Sequence, residues 1–274
     1  MLKSEAVRLL RNSGIDSPEI ELRQILTEIG GIPTWKTVGG DLEITDERTL
    51  EAINRRAERE PLQYIIGRVD FCHESYRVTP DCLIPRADTE LLVEYAAKHI
   101  PNGALFLDLC TGSGCVAIST LAATDGTRAI ATDISADTLK LARENAEYNN
   151  VGDRVTLFKC DALKKGSLPL PDGERIYAVL SNPPYVRRTV YETLEPEIFR
   201  EPMRAFVGGE DGLIFYRAIT EEYAFVAREG GFIAYEIGYD QAEALCGIAE
   251  KNGLSCEILT DLSGNPRVAV LRSK

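Results

Sequence analysis

Histidine is scarce in this chain, with only His73 and His99, and none of its seven cysteines (Cys72, Cys82, Cys110, Cys115, Cys160, Cys246, Cys256) forms a Cys-x-x-Cys pair. Zinc centres are built from such ligands at such spacings, so no metal site is expected. An odd set of thiols without a framework points to reduced cysteines in a cytoplasmic protein. Basic residues are in deficit along the whole length. Up to residue 80 there are 11 Lys and Arg against 14 Asp and Glu, and beyond it 20 against 29, for a formal charge of −12. Affinity for DNA or RNA rests largely on neutralising phosphates, so direct nucleic-acid binding is not expected. Long apolar runs are missing too: no stretch approaches the roughly 18 to 20 residues of a membrane span. The opening MLKSEAVRLLRNSG carries charge early and has no apolar segment of the kind a secretion signal needs. These absences leave a soluble globular protein, expected to be a monomer.

The pattern along the chain divides it in three. Residues 1–60 read as a small helical domain. Ser4 is placed to cap a first helix that ends at Gly14, and Ser17-Pro18 opens a second. Thr45 opens a third helix, with Leu50 and Ile53 inward and Arg55, Arg56, Glu58 and Arg59 on its wet face. Residues 61–84 read as a β-hairpin linker, in which Pro61–Gly67 and Val69–Phe71 are extended and Tyr76–Val78 pairs with them. From 85 to 274 strand and helix alternate. Strands are expected at 104–110, 128–133, 155–158, 177–181, 231–237, 254–259 and 268–271, with helices between most of them. Such alternation means a mostly parallel α/β sheet covered on both faces. The last two strands are joined through Ser263-Gly264-Asn265 and are expected to form an antiparallel hairpin.

Two loops carry the chemistry. The strand ending Asp108-Leu-Cys110 runs into Thr111-Gly112-Ser113-Gly114 and a helix. The glycines let the turn tighten and let a ligand approach the backbone. Gly112-x-Gly114-x-x-Ala117 fits a dinucleotide as well as it fits S-adenosylmethionine. Asp133, about 20 residues on, ends the next strand where a carboxylate accepts from ribose hydroxyls, and Asp161 is placed to meet an adenine amino group. Both cofactors carry adenosine, so these residues do not separate them. Plainer roles exist as well: Asp108 could cap a helix or hold a backbone amide, and Asp133 could be an N-cap.

Asn182-Pro183-Pro184-Tyr185, just past the strand 177–181, separates the two cofactors. Two prolines fix two φ angles and remove two N–H donors. The side-chain oxygen of Asn182 and the carbonyl of Pro183 then remain as fixed acceptors, a match for a planar NH2 group, with Tyr185 as a flat wall beside it. A nicotinamide enzyme needs a proton donor or acceptor near the hydride and has no use for such a cage. A methyltransferase acting on nitrogen does. A rigid Pro-Pro turn is the bland alternative, and the flanking Asn, Tyr and buried strand weigh against it.

The order of these motifs resembles the HemK-type, PrmC-like protein-(glutamine-N5) methyltransferases of peptide chain release factors. The resemblance runs from about Pro61 onward. It includes Pro61-Leu-Gln-Tyr-Ile-x-Gly67, Leu83-Ile-Pro-Arg86, Asp88-Thr-Glu90, the loop Asp108–Gly114 and Asn182–Tyr185. Later matches are Glu201-Pro202, Gly208-Gly209-x-Asp211-Gly212, Glu236-Ile-Gly238 and Asp261–Arg267. The resemblance implies a Rossmann-like class I S-adenosylmethionine-dependent domain, and a helical domain that helps dock the release factor. It also implies methylation of the glutamine in that factor's Gly-Gly-Gln loop. Asp108, Cys110, Thr111, Gly112, Ser113, Gly114, Asp133, Asp161, Ala162 and Asn182 would then bind the cofactor. Asn182, Pro183, Pro184 and Tyr185 would hold the substrate, with Asn182, Pro183 and Tyr185 at the chemistry. Three departures stand out. Cys110 occupies a position often held by Gly and is expected to be tolerated at negative φ, Ala87 replaces a Pro, and Ala162 replaces a larger residue over the adenine. Rival readings are a ribosomal-protein glutamine methyltransferase, an N6-adenine DNA methyltransferase and a silent binding module on the cofactor fold.

Overall fold

The computed structural model describes residues 1–168, 170 and 173–274. The chain forms two compact units, Met1–Arg68 with Glu195–Arg200, and Val69–Leu194 with Glu201–Lys274.

The first unit is helical: α1 (Lys3–Asn12), α2 (Pro18–Glu28), α3 (Thr34–Val38), α4 (Glu47–Ala57) and α5 (Leu62–Ile66). Leu10, Leu22, Ile25, Leu26 and Ile53 meet in its core, each contributing about 1.5–3 kcal/mol by leaving water. Some expectations shift here. The cap of α4 is Asp46, whose carboxylate accepts from Thr49 N at 2.9 Å, and not Thr45. Ser4 lies inside α1 and bonds Asp41. Pro61–Gly67 is a helical turn and not extended: Pro61 sets its entry, and the Pro61 carbonyl accepts from Tyr64 and Ile65. Arg56, expected on a wet face, is only 6% exposed. It is paired with Glu21, and with Glu197 at 3.0 Å, which ties the 195–200 segment into this unit. A buried guanidinium with both carboxylates in place is tolerable; one left alone would be strongly destabilising.

The second unit opens with the short hairpin of β1 (Arg68–Phe71, starting at the last residue of the helical unit) and β2 (Glu74–Arg77). After α6 (Glu90–His99) come β3 (Leu105–Leu109), α7 (Cys115–Ala122), β4 (Arg128–Asp133), α8 (Ala136–Tyr148) and β5 (Val155–Lys159). Then follow β6 (Ile176–Ser181), the short α9 (Arg188–Tyr191), α10 (Ile214–Arg228), β7 (Phe232–Glu236), α11 (Ala242–Lys251), β8 (Leu254–Thr260) and β9 (Pro266–Ser273). The sheet order is β5-β4-β3-β6-β7-β9-β8. The first five strands in that order are parallel, and β9 lies antiparallel between β7 and β8. This is the class I methyltransferase arrangement, with its antiparallel hairpin.

Both faces are covered, as the strand pattern requires. On β3, Leu105, Leu107 and Leu109 enter one apolar cluster and Phe106 enters the other, the period-two alternation of a strand buried on both sides. The order turns back at β3, which pairs with β4 on one side and β6 on the other. Crevices for ligands open at the carboxyl ends of strands at such a point.

Candidate functional site

A cavity of about 240 Å³ opens at the carboxyl ends of β3, β4 and β6. Its wall includes Cys110–Ser113, Asp133, Asp161, Ala162, Asn182 and Pro184. The structure therefore gathers most of the residues singled out from sequence, although they come from four separate loops. Gly114, Pro183 and Tyr185 are set back from the wall, and so is Asp108.

Asp108 is buried behind the loop after β3. Its Oδ2 accepts from Thr111 Oγ1 at 2.5 Å and from Ala117 N at 3.1 Å. Burial pushes this carboxyl up to about 7, against the pull of those two donors. Asp108 thus braces the loop and the first turn of α7 from beneath. Asp133 stands at the wall, where its Oδ2 accepts from Gly112 N at 3.1 Å and its Oδ1 from Ser135 N at 3.0 Å. Burial holds its pKa above the ordinary carboxylate range. The N-cap of α8 is Ser135, so Asp133 is not spent on capping.

Gly112 sits at φ +56°, and a Cβ built there meets nothing within 4 Å. Its backbone faces open space, the approach a ligand needs. Gly114, at φ +87°, is held for packing: a Cβ would lie 2.8 Å from Ile118 Cδ1. Cys110 departs from expectation, with φ at +62° and not negative. A side chain in this left-handed region costs roughly 1–2 kcal/mol, which explains why glycine suits the position.

The Asn182 end is built differently. Asn182 Nδ2 donates to Thr89 Oγ1 at 3.1 Å, and Thr89 donates to Glu236 Oε2. Tyr185 Oη donates to the other oxygen, Glu236 Oε1, at 3.1 Å. Gln241 Nε2 holds the Tyr185 carbonyl at 3.0 Å. No hydrogen bond among the described residues takes up Asn182 Oδ1 or the Pro183 carbonyl. Sequence reasoning missed Thr89, Glu236 and Gln241 as site residues, though Thr89 and Glu236 lay inside motifs already noted. It also missed Ile134, Leu163, Phe215, Pro202 and Arg204 of the wall. Glu201, buried, holds the rim segment by accepting from Ile84 N at 2.9 Å and from Arg86.

Residues 2–67 match the family described as PrmC N-terminal domain, and residues 87–214 match the methyltransferase small domain. The release factor glutamine methyltransferase of Geobacter sulfurreducens is 36% identical over 94% of this chain and 91% of its own length. That of Caulobacter vibrioides is 35% identical over 95% and 91%. The chain belongs to the release factor glutamine methyltransferase family. Among solved structures, the hMettl16 catalytic domain in complex with a MAT2A 3′UTR hairpin covers 91% of this chain and 92% of that one. It superposes with a TM-score of 0.58 at 14% identity, a likeness of fold alone.

Members of this methyltransferase family use S-adenosylmethionine as methyl donor, and the cavity suits it. Ile134 and Leu163 are left 52% and 40% exposed at the wall, an apolar surface that an adenine ring would cover. Asp133, beside Ile134 at the same wall, is a carboxylate acceptor of the kind ribose hydroxyls need. Ser113 Oγ, at the wall, is buried with no hydrogen-bond partner among the described residues. That is unmet polar capacity of the kind an amino-acid moiety satisfies.

Proposed function

We propose that this chain transfers a methyl group from S-adenosylmethionine to the side-chain amide nitrogen, N5, of the glutamine in the Gly-Gly-Gln loop of peptide chain release factors. The observation that carries this reading is the state of Asn182. Its NH2 is spent on Thr89, and its oxygen is uncommitted at the cavity wall. We assign Asp133, Asp161, Ala162 and the loop Cys110–Gly114 to holding the cofactor, with Asp108 bracing that loop. The substrate amide goes to Asn182, Pro183, Pro184 and Tyr185.

When bound, the cofactor supplies an electrophilic methyl on a sulfonium. A glutamine amide nitrogen is a poor nucleophile, because its lone pair is shared with the carbonyl. Asn182 Oδ1 and the Pro183 carbonyl each accept one N–H, which fixes the nitrogen's direction and removes it from water. Positive charge that gathers on that nitrogen makes its hydrogens better donors, so both acceptors bind more strongly in the transition state than before it. Neither acceptor is a base, so the proton leaves after the new N–C bond has formed. Tyr185, half-buried and tethered to Glu236, supplies the flat wall.

The helical unit is read as the part that helps dock the release factor. The protein is further read as a cytoplasmic monomer that engages no nucleic acid directly. The charge deficit in both parts of the chain supports the absence of direct nucleic-acid binding. The test is transfer of label from S-adenosylmethionine to a release factor, intact or with its Gly-Gly-Gln glutamine replaced. Label on the intact factor alone is expected. Label on both, or only on DNA or a ribosomal protein, would overturn the assignment.

A further inference from the structure

Thr89 and Glu236 have no part in the chemistry assigned above, yet both are almost wholly buried, at 1% and 3% exposure, and they are bonded directly behind it. An ionised carboxylate only accepts hydrogen bonds, and a threonine hydroxyl has one hydrogen to give. Glu236 Oε2 takes the hydrogen of Thr89, so the lone pairs of Thr89 Oγ1 can only accept. Whatever faces Thr89 must donate, and the NH2 of Asn182 does so at 3.1 Å. The amide is planar, so once its nitrogen is on Thr89 its oxygen is turned away from Thr89 and kept free to accept. We propose that the Glu236 carboxylate, acting through the Thr89 hydroxyl, sets which end of the Asn182 amide meets the substrate. Thr89 and Glu236 are thus positioning residues for the methyl-accepting nitrogen.

The converse arrangement shows why ionisation matters. A protonated Glu236 donates to the oxygen of Thr89 and frees that hydroxyl's hydrogen. Asn182 then sits equally well with its oxygen on Thr89 and its NH2 toward the substrate, a donor facing a donor. The same carboxylate also grips Tyr185 through Oε1, so it holds both ends of the Asn182–Tyr185 segment. Other groups face Glu236 as well. Tyr216 donates to its backbone carbonyl at 2.9 Å. Asp88, Cys115 and Arg267 are the remaining charged or titratable neighbours, and Arg267 is itself paired with Asp88 and Asp261. Burial pushes the Glu236 carboxyl up to about 7, while the Thr89 and Tyr185 hydroxyls oppose the rise. The switch between the two arrangements therefore falls near neutrality.

This inference rests on reading Asn182 as the holder of the substrate amide, and the experiment separates the two. Label transfer to a release factor would be followed from about pH 6 to 8.5 for the wild type and for Glu236→Gln, Thr89→Val and Thr89→Ser. Affinity for the factor would be measured in parallel with the demethylated cofactor bound. In the wild type kcat/KM is expected to rise about tenfold across neutrality. Glu236→Gln imitates the protonated acid and is expected to stay on the low branch throughout, about tenfold or more below wild type at the alkaline end. Thr89→Val should behave alike, and Thr89→Ser should restore both the rate and the pH limb. Affinity for the factor falls in the first two variants, while cofactor affinity stays within about threefold. If Glu236→Gln does not fold, the Val and Ser pair carries the test. Variants that keep the wild-type pH limb, or a Ser variant as impaired as Val, would overturn the positioning role alone. A wild type that leaves the factor unlabelled would overturn the functional reading, and this inference with it.

Discussion

Asp108 and Glu236 make an instructive pair. Each is a buried acid on a central parallel strand, each takes a threonine hydroxyl, and burial lifts each to about 7. Their partners differ. Asp108 is bonded to Thr111 and Ala117, three and nine residues away, so it shapes one continuous loop and helix start. Glu236 is bonded to Thr89 and Tyr185, 147 and 51 residues away, and so joins segments that share nothing but the sheet edge. On the reading proposed above, one acid stiffens the cofactor's cradle, and the other orients the side chain that holds the methyl-accepting amide. A local brace is insensitive to the packing of distant elements, whereas a long-range one depends on them.

The sharpest break between the two ends is Asn182→Ala. Loss of one of two fixed acceptors at a charge-developing atom is expected to lower methyl transfer by about 10²- to 10³-fold. Cofactor affinity should change little, and equilibrium binding of S-adenosylmethionine measures that directly. Asp108→Ala should give the reverse pattern. It leaves the Ala117 amide and the Thr111 hydroxyl without their acceptor, a cost of about 1–3 kcal/mol in denaturant unfolding. It should also weaken the cofactor more than the release factor.

The pH dependence of stability offers a third contrast. Both acids have folded pKa values raised from 3.8 and 4.5 to about 7. Between the unfolded and folded values each of these two acids keeps a proton in the native state that it has lost in the unfolded one, so its own contribution to stability is greatest in acid and is lost as pH rises from about 4 to about 7. Across that interval Tm should therefore shift downward in the wild type relative to Asp108→Asn or Glu236→Gln. An equal shift in all three would dissociate the acids from the trend. The smallest effect is expected from Cys110→Gly. Relief at φ +62° is offset by the greater freedom of an unfolded glycine, leaving a change within about 1 kcal/mol.

The part of the cavity wall built after β3 and β4 was legible in the sequence because its residues lie close together in the chain. Asp108, Thr111, Gly112 and Gly114 fall within one short loop, and Asp133 ends the next strand where the alternating pattern puts it. Asn182 was legible for a similar reason, since two prolines and a buried strand localise it. Thr89 and Glu236 sat inside recognisable motifs, but nothing in either segment says that they touch. Arg56 read as solvent-facing because Arg55 and Arg59 flank it in the sequence, and its partners Glu21 and Glu197 are remote. Cys110 misled in another way: a backbone angle is set by the turn it must close, and the residue type alone does not report it.

The position of β9 has a consequence for synthesis. It follows every other strand in the chain, yet it occupies the place next to β7, with Val268 opposite Glu236. Until β9 emerges from the ribosome, β7 has no neighbour on that side and β8 has no sheet to join. Strands β3 to β6, with the loop that follows β3, can already be paired by then. Growth of the polypeptide thus orders the two ends in time. The loops after β3 and β4 can take shape first, and the strand that flanks Glu236 is added only with β9.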